Sequence, residues 1–173
     1  MTSTTIMDQC SRIEPPHAAG ERELACSFLD WQRATLLCKL EGLPDAELRR
    51  RHQPSGLSLL WLVKHLALVE RSWFQVTFAS EIAYTPDRQA YWAQEAIGPD
   101  DSAATVIAFY QAEVERSRAI VAAAPSFDDP AQQPSHGRDV TLRWIILHMI
   151  EETARHNGHA DLLREAIDGQ VGE

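Results

Sequence analysis

The feature that most constrains this chain is the segment from Thr141 to Gly169, which reads TLRWIILHMIEETARHNGHADLLREAIDG. Its apolar residues recur at steps of three and four, as at Ile145 and Met149, which predicts one amphipathic helix of roughly 27 residues, about 40 Å long. The same steps lead on to Glu152 and His156. A carboxylate on a buried helix face is costly unless a charge or a metal ion compensates it. The segment therefore predicts a long helix with a metal site on its inner face.

Three further segments carry helical spacing and are bounded by capping or breaking residues. They run from 21 to Gly42, from Ser58 to about Ser80, and from Asp101 or Ser102 to the residue before Pro125. A short helix is expected at 44–50, and a loop with one short helix at 84–99. No stretch shows sustained strand alternation, and no repeat is present. The pattern predicts an all-α fold, a four-helix bundle with one or more long connections.

In the first helix, the predicted inner face follows steps of four and three. It comprises Leu24, Phe28, Trp31, Thr35 and Cys38. This stripe is expected to pack against the other helices of the bundle.

Length and composition indicate a single globular domain. The chain has 173 residues, of which 45% are hydrophobic and 24% charged, a balance typical of folded domains. Residues 1–20 are mainly polar, contain Pro15 and Pro16 and show no period. We expect them to form a flexible N-terminal tail, and residues 21–173 to form the bundle.

Charge and hydropathy argue against two kinds of partner. The net charge of −9 disfavours nucleic acid, which requires a basic surface. No apolar run approaches the ~20 residues of a membrane span, and the first residues lack the charged and apolar regions of a signal peptide. We expect a cytoplasmic protein that acts on a small molecule.

The cysteines give no sign of a metal or disulfide framework. Cys10, Cys26 and Cys38 are odd in number and have no CxxC spacing. We therefore expect no disulfide pairing and no thiolate metal site.

A complete metal site needs a ligand from another helix. His65 is the best candidate, because it lies on the inner stripe of its own helix. Two nitrogens and one carboxylate oxygen with a vacant fourth position are typical of catalytic zinc sites. Spacing alone leaves alternatives open, since His148 with Glu152, or a set that includes His159, is also possible. A hydrogen-bonded core histidine and a surface Glu–His pair are the non-metal interpretations.

Two stretches carry a resemblance to a known family. The segments LVKHLALVERSWF and LRWIILHMIEETARHNGHADLLRE resemble the DinB-like superfamily of metal-binding four-helix bundles. The resemblance runs from about Glu21 to Gly169. It is closest to an actinobacterial branch labelled a domain of unknown function, related to mycothiol-dependent maleylpyruvate isomerase and to the bacillithiol transferases.

The resemblance implies one ligand from the second long helix and two, four residues apart, from the last. Carried over, these positions are His65, in KHL, and Glu152 with His156, because RHNGH aligns with the family's HHRGQ. Most DinB-like proteins have histidine where Glu152 stands. The mycothiol-dependent isomerase is similar to this chain in having glutamate there, which is compatible with zinc.

The function that the resemblance implies is a metal-dependent transferase that uses a low-molecular-weight thiol such as mycothiol. The expected metal is Zn²⁺, with Ni²⁺ as the other option. The alternatives are a metal-dependent hydrolase and a non-catalytic metal-binding or small-ligand-binding stress protein. No residue beyond the metal ligands is assigned a catalytic role.

Two smaller features carry expectations of their own. Gly158 lies inside the last helix, where glycine costs about 1 kcal/mol relative to alanine; either a ligand or neighbouring backbone approaches closely there, or the glycine is simply tolerated. DinB-like relatives often dimerise, and Trp73, Phe74 and Phe78 lie close together near one helix end. We expect a homodimer that buries them, whereas ordinary core packing is the alternative.

Overall fold

The computed structural model describes residues 11–85, 87–135 and 137–172, with the backbone alone at Arg88. The helices are α1 (Glu21–Cys38), α2 (Asp45–Arg49), α3 (Leu59–Glu70), α4 (Arg88–Trp92), α5 (Ala103–Ala123) and α6 (Leu142–Asp168). A π-helix, Arg71–Phe78, continues α3, and a 3₁₀ turn, Ala93–Glu95, follows α4. Within the described ranges the extended pairing is limited to isolated β-bridges, so the predicted all-α class is confirmed.

Four ends of the long helices are explained by their capping residues. Gly169, at φ 78°, ends α6 in the left-handed region that glycine adopts without strain. Three N-cap hydroxyls accept hydrogen bonds from backbone N–H groups three residues on: Ser58 from Trp61, Ser102 from Thr105 and Thr141 from Trp144. Each satisfies an N–H group that the helix cannot. The predicted caps at Ser58 and Ser102 and the predicted glycine end are therefore confirmed.

Four long helical segments form the bundle. The α3 helix packs against α5 and also touches α6, while α1 packs against α6. The core falls into two apolar clusters, one around Leu60, Leu66 and Tyr110 and the other around Phe74 and Ile145. The connections before α5 and before α6 are long, at residues 79–102 and 124–141. The predicted bundle with long connections is present.

The inner face of α1 differs from the prediction. Phe28 is 47% exposed, whereas Leu29 and Leu36 are buried. The buried face also carries Arg33, whose Nε and Nη2 donate to the two carboxylate oxygens of Glu70 at 2.8 and 2.7 Å. This bidentate contact satisfies both charges away from water. Apolar spacing could not anticipate a buried arginine, so the predicted stripe is displaced around the helix.

The aromatic residues that suggested a dimer lie mainly within the chain's own core. Phe74 is fully buried, and Trp73 and Phe78 pack partly buried against the same cluster. The ordinary-core alternative therefore accounts for Phe74.

The cysteines depart in part from expectation. Cys26 is a half-buried free thiol, as expected for a cysteine without a partner. Cys38 is disulfide-bonded, so the expectation of no disulfide is wrong at this residue. Cys10 and the rest of the first ten residues lie outside the described part of the chain. No helix in that described part is long and apolar enough to cross a membrane.

Candidate metal centre

Three ligand-type side chains from two helices converge where α3 meets α6. Glu152 Oε1 lies 3.4 Å from His65 Nε2 and 3.3 Å from His156 Nε2. The ligand atoms of all three residues lie within 4.8 Å of one another. The structure thus brings together the three residues that the sequence singled out.

The helical stripes explain why these side chains meet. Along α6, Glu152 and His156 lie between Met149 and Ala160, both fully buried. The side chains of Glu152 and His156 remain 17% and 13% exposed. Glu152 and His156 therefore lie on the buried side of α6, close to α3, and both remain accessible to solvent.

His65 arrives from α3 in the same manner. It lies next to Leu62 and Leu66, which are fully buried, while its own side chain is 14% exposed. The packing of α3 on α6 then sets the distance between His65 and the two α6 ligands.

When no metal is bound, the contacts within the cluster shift the pKa of Glu152 and the pKa of His65 in the directions that favour their charged forms. Hydrogen bonds from His156 and His65 outweigh burial and hold the pKa of Glu152 well below its usual value. Burial lowers the pKa of His65, but hydrogen bonds to Glu152 and Glu95 outweigh it, so the net pKa is raised. A bound cation would take the place of the His65 proton in balancing the carboxylate.

A residue that the sequence analysis missed contacts Nδ1 of His65, the ring nitrogen that faces away from Glu152 and His156. Glu95, in the turn after α4, lies with its Oε1 2.6 Å from His65 Nδ1. Trp61 stacks on the same imidazole with ring centroids 4.9 Å apart, and Trp92 lies at 6.0 Å. Carboxylates in this position orient histidine ligands and select their tautomer. No spacing pattern pointed to Glu95, because it lies in a predicted loop.

The outer nitrogen of His156 also has a neighbour. Its Nδ1 lies 3.3 Å from Nδ1 of His159. One of these nitrogens can donate a hydrogen bond to the other only if the first carries a proton and the second does not. His159 therefore neighbours a candidate ligand and lies outside the set of three whose ligand atoms converge.

Three further histidines lie outside the convergent set or beyond the described residues. His148 stacks on Trp144 at 5.0 Å, and its Nδ1 is 3.7 Å from Glu151 Oε2. His17 is exposed and pairs with Glu14. His136 lies outside the described residues.

The donor chemistry of the cluster suits a divalent transition metal. Two imidazole nitrogens and a carboxylate oxygen are the ligands of many catalytic zinc sites. Glu152 is ready to coordinate because its pKa is lowered. Glu95 supplies the outer hydrogen bond that such a histidine normally makes.

A cavity of about 480 Å³ adjoins the surroundings of His65. It is lined by Arg49, Arg51, Ser58, Trp61, Trp92, Ala93, Glu95, Ala96 and Ile97. The two tryptophans and the glutamate of this lining are the residues that contact or flank the His65 ring. The cavity therefore lies next to the candidate metal site.

Gly158 is not explained by a close neighbour within the chain. The residue is exposed, and a Cβ built on it meets nothing within 4 Å among the described atoms. The structure therefore favours a tolerated glycine over one required by neighbouring backbone.

Comparison with known proteins gives a family match over most of the chain. A family model described as Mycothiol-S-transferase matches residues 25–169. A search of curated proteins finds no match.

A solved structure supports the fold. It is the crystal structure of a conserved protein from Enterococcus faecalis, 17% identical, with a TM-score of 0.62 over 88% of this chain and 100% of that chain. At this identity the similarity concerns the fold alone.

Proposed function

Because this chain belongs to the mycothiol-S-transferase family, we propose that it joins the thiol of mycothiol to a small electrophilic molecule with the help of one divalent metal ion. The observation that carries the proposal is the convergence of His65, Glu152 and His156, whose ligand atoms lie within 4.8 Å of one another. All three residues fall inside the matched region. A thiol transferase needs a thiolate at neutral pH, and this cluster offers a means of obtaining one.

The chemistry depends on the acidity of the thiol. A free thiol has a pKa of about 8.5 and is mostly protonated at neutral pH. A divalent ion bound to these three ligands supplies the positive charge that favours the thiolate.

The chain's own residues prepare the ligands. In the tautomer of His65 that carries its proton on Nδ1, this N–H donates a hydrogen bond to Glu95 Oε1. The lone pair of Nε2 then faces Glu152 and His156. The lowered pKa of Glu152 keeps this carboxylate ionised at neutral pH. The partial exposure of all three side chains leaves an approach for small molecules.

Zinc is the metal that we propose, with nickel as the alternative. Zinc accepts mixed nitrogen and oxygen donors and needs only three protein ligands when a further position serves a small molecule. The same donors also bind nickel, so the metal is identified by elemental analysis of the purified protein.

The first experiment tests the ligand set. Elemental analysis and zinc titration are performed on the wild type and on His65→Ala, Glu152→Ala and His156→Ala, each of which should lose strong binding. His148→Ala is the matched control, since it removes a histidine from the same helix that contacts Trp144 and Glu151 instead. Full occupancy in His156→Ala would show that the set is wrong. His17→Ala and His136→Ala should also retain metal.

The second experiment tests the thiol. Mycothiol added to cobalt-substituted protein should produce a sulfur-to-metal charge-transfer band. An unchanged spectrum at excess thiol would contradict the transferase proposal. In assays with candidate electrophiles, consumption without thiol would instead indicate a hydrolase, and ligand binding without turnover would indicate a binding protein.

A further inference from the structure

The cavity beside His65 combines aromatic walls with cationic groups. Trp61 and Trp92 contribute indole rings, and Arg49 and Arg51 contribute guanidinium groups. Its volume of about 480 Å³ lies within the range that small-molecule sites usually have.

The two arginines are engaged to different extents. Arg49 Nε donates to Asp45 Oδ2 at 2.6 Å, and its Nη1 donates to the Gly98 carbonyl. Arg51 Nε donates to the Gly56 carbonyl at 2.8 Å. Within the described ranges, the two terminal nitrogens of Arg51 contact no hydrogen-bond acceptor, and no carboxylate forms an ion pair with this residue. Arg51 is therefore held at one nitrogen and can offer the other two to a ligand.

The other charges at the cavity do not cancel that of Arg51. Glu95 is the acidic residue of the lining, and its Oε1 lies against His65. The cavity also reaches the first turn of α3 through Ser58 and Trp61. A helix N-terminus adds partial positive charge, so it reinforces the arginine.

We propose that this cavity binds a small, flat organic acid, with Arg51 holding its carboxylate and the indoles of Trp61 and Trp92 holding its planar part. The guanidinium group presents parallel N–H donors that match the two oxygens of a carboxylate. Indole faces favour flat ligands through stacking and burial of apolar area.

This inference rests on the proposed function for the role of the ligand, which is the electrophilic substrate of the thiol transfer. Trp61, Trp92 and Glu95 belong both to the cavity and to the surroundings of His65. An acid anchored at Arg51 would therefore place the rest of its carbon skeleton near His65, one of the three proposed metal ligands.

The experiment measures binding of benzoate to the full chain by calorimetry, with tryptophan fluorescence as a second readout. The wild type should bind benzoate with a dissociation constant of about millimolar or tighter, as a ligand of few atoms allows. Arg51→Gln should weaken binding by about tenfold or more, because it removes a charge-assisted hydrogen-bonding group.

Arg50→Gln is the matched control. Arg50 is adjacent in sequence, pairs with Glu47 at 2.6 Å and does not line the cavity. This variant should bind benzoate as the wild type does. Melting temperatures of both variants check that folding is intact.

Three probes separate this inference from simple charge attraction and from metal binding. Benzamide, which is neutral, and inorganic phosphate, which lacks a ring, should each bind at least about tenfold more weakly than benzoate. His156→Ala, which alters a metal ligand and no cavity residue, should bind benzoate normally, so this site and the metal site can fail separately. The inference is overturned if benzoate does not bind, if benzamide or phosphate binds equally well, if Arg50→Gln equals Arg51→Gln, or if His156→Ala abolishes binding.

Discussion

Replacing Glu95 with glutamine tests whether an outer hydrogen bond sets the metal affinity of the cluster. Glu95 Oε1 lies 2.6 Å from His65 Nδ1, and the two side chains are only 16% and 14% exposed. A hydrogen bond to a carboxylate at this distance fixes the orientation and the tautomer of the ring, so that Nε2 is available to an ion. In Glu95→Gln the amide oxygen can still accept a hydrogen bond, but the negative charge is absent.

The size of the effect follows from this difference. Loss of an outer partner of a ligand histidine costs about 10- to 100-fold in metal affinity. A hydrogen bond to a charged group is roughly twice as strong as a neutral one. Glu95→Gln keeps a neutral hydrogen bond to His65, so we expect the metal affinity to fall about tenfold, which corresponds to about 1.4 kcal/mol. Glu95→Ala removes both the hydrogen bond and the negative charge, so the metal affinity should fall by close to about a hundredfold.

The assay is a competition titration of zinc against a chromophoric chelator at neutral pH. Glu151→Gln is the matched control, because it removes the same charge from the residue next to Glu152. Glu151 contacts Arg155 and His148 and none of the three candidate ligands. Unchanged affinity in both Glu95 variants would refute the reasoning. An equal loss in Glu151→Gln would show a general charge effect in place of an oriented ligand.

Three further predictions concern stability and assembly. In metal-free protein, the lowered pKa of Glu152 and the raised pKa of His65 should make the fold most stable between their ordinary values of 4.5 and 6.5. Stability should fall as the pH drops below 4.5 and as it rises above 6.5 through the raised pKa of His65. Urea midpoints should therefore decrease as the pH rises above 6.5, and should decrease less in His65→Gln. Gly158→Ala should stabilise the fold by about 1 kcal/mol, since a Cβ at this position meets nothing within 4 Å among the residues that the structure describes; an unchanged melting temperature would contradict this. A homodimer remains our expectation, and a monomeric mass by light scattering at high concentration would exclude it.

The ends of the long helices that carry capping residues could be predicted because their causes are local. Ser102 caps α5 through its own side chain, and Gly169 ends α6 through its own backbone. The π-helix at Arg71–Phe78 could not be predicted, because its apolar spacing continues that of α3. Its wider turn is marked by Ala79 N, which donates to Phe74 O at 2.9 Å. A π-helix is rare, and this one forms where the segment packs against the rest of the bundle.

The candidate ligands could be found for a related reason, since Glu152 and His156 stand on one apolar stripe and His65 on another. Periodicity places residues on a face, but it does not give the distance between a helix and a connection thirty residues away in sequence. That distance depends on contacts such as Lys64 Nζ, which donates to the Ala96 carbonyl and to Asp101, each at 2.8 Å.

These contacts tie the connection before α5 to the residue that precedes His65. They hold the 3₁₀ turn against α3, and so bring Glu95 to the outer nitrogen of the imidazole. The positions of the three candidate ligands thus follow from the helical pattern, whereas the position of Glu95 beside His65 depends on how the connection before α5 packs against α3. Relatives that retain the three ligands but differ in this connection should therefore differ in metal affinity and in the small acids that they accept.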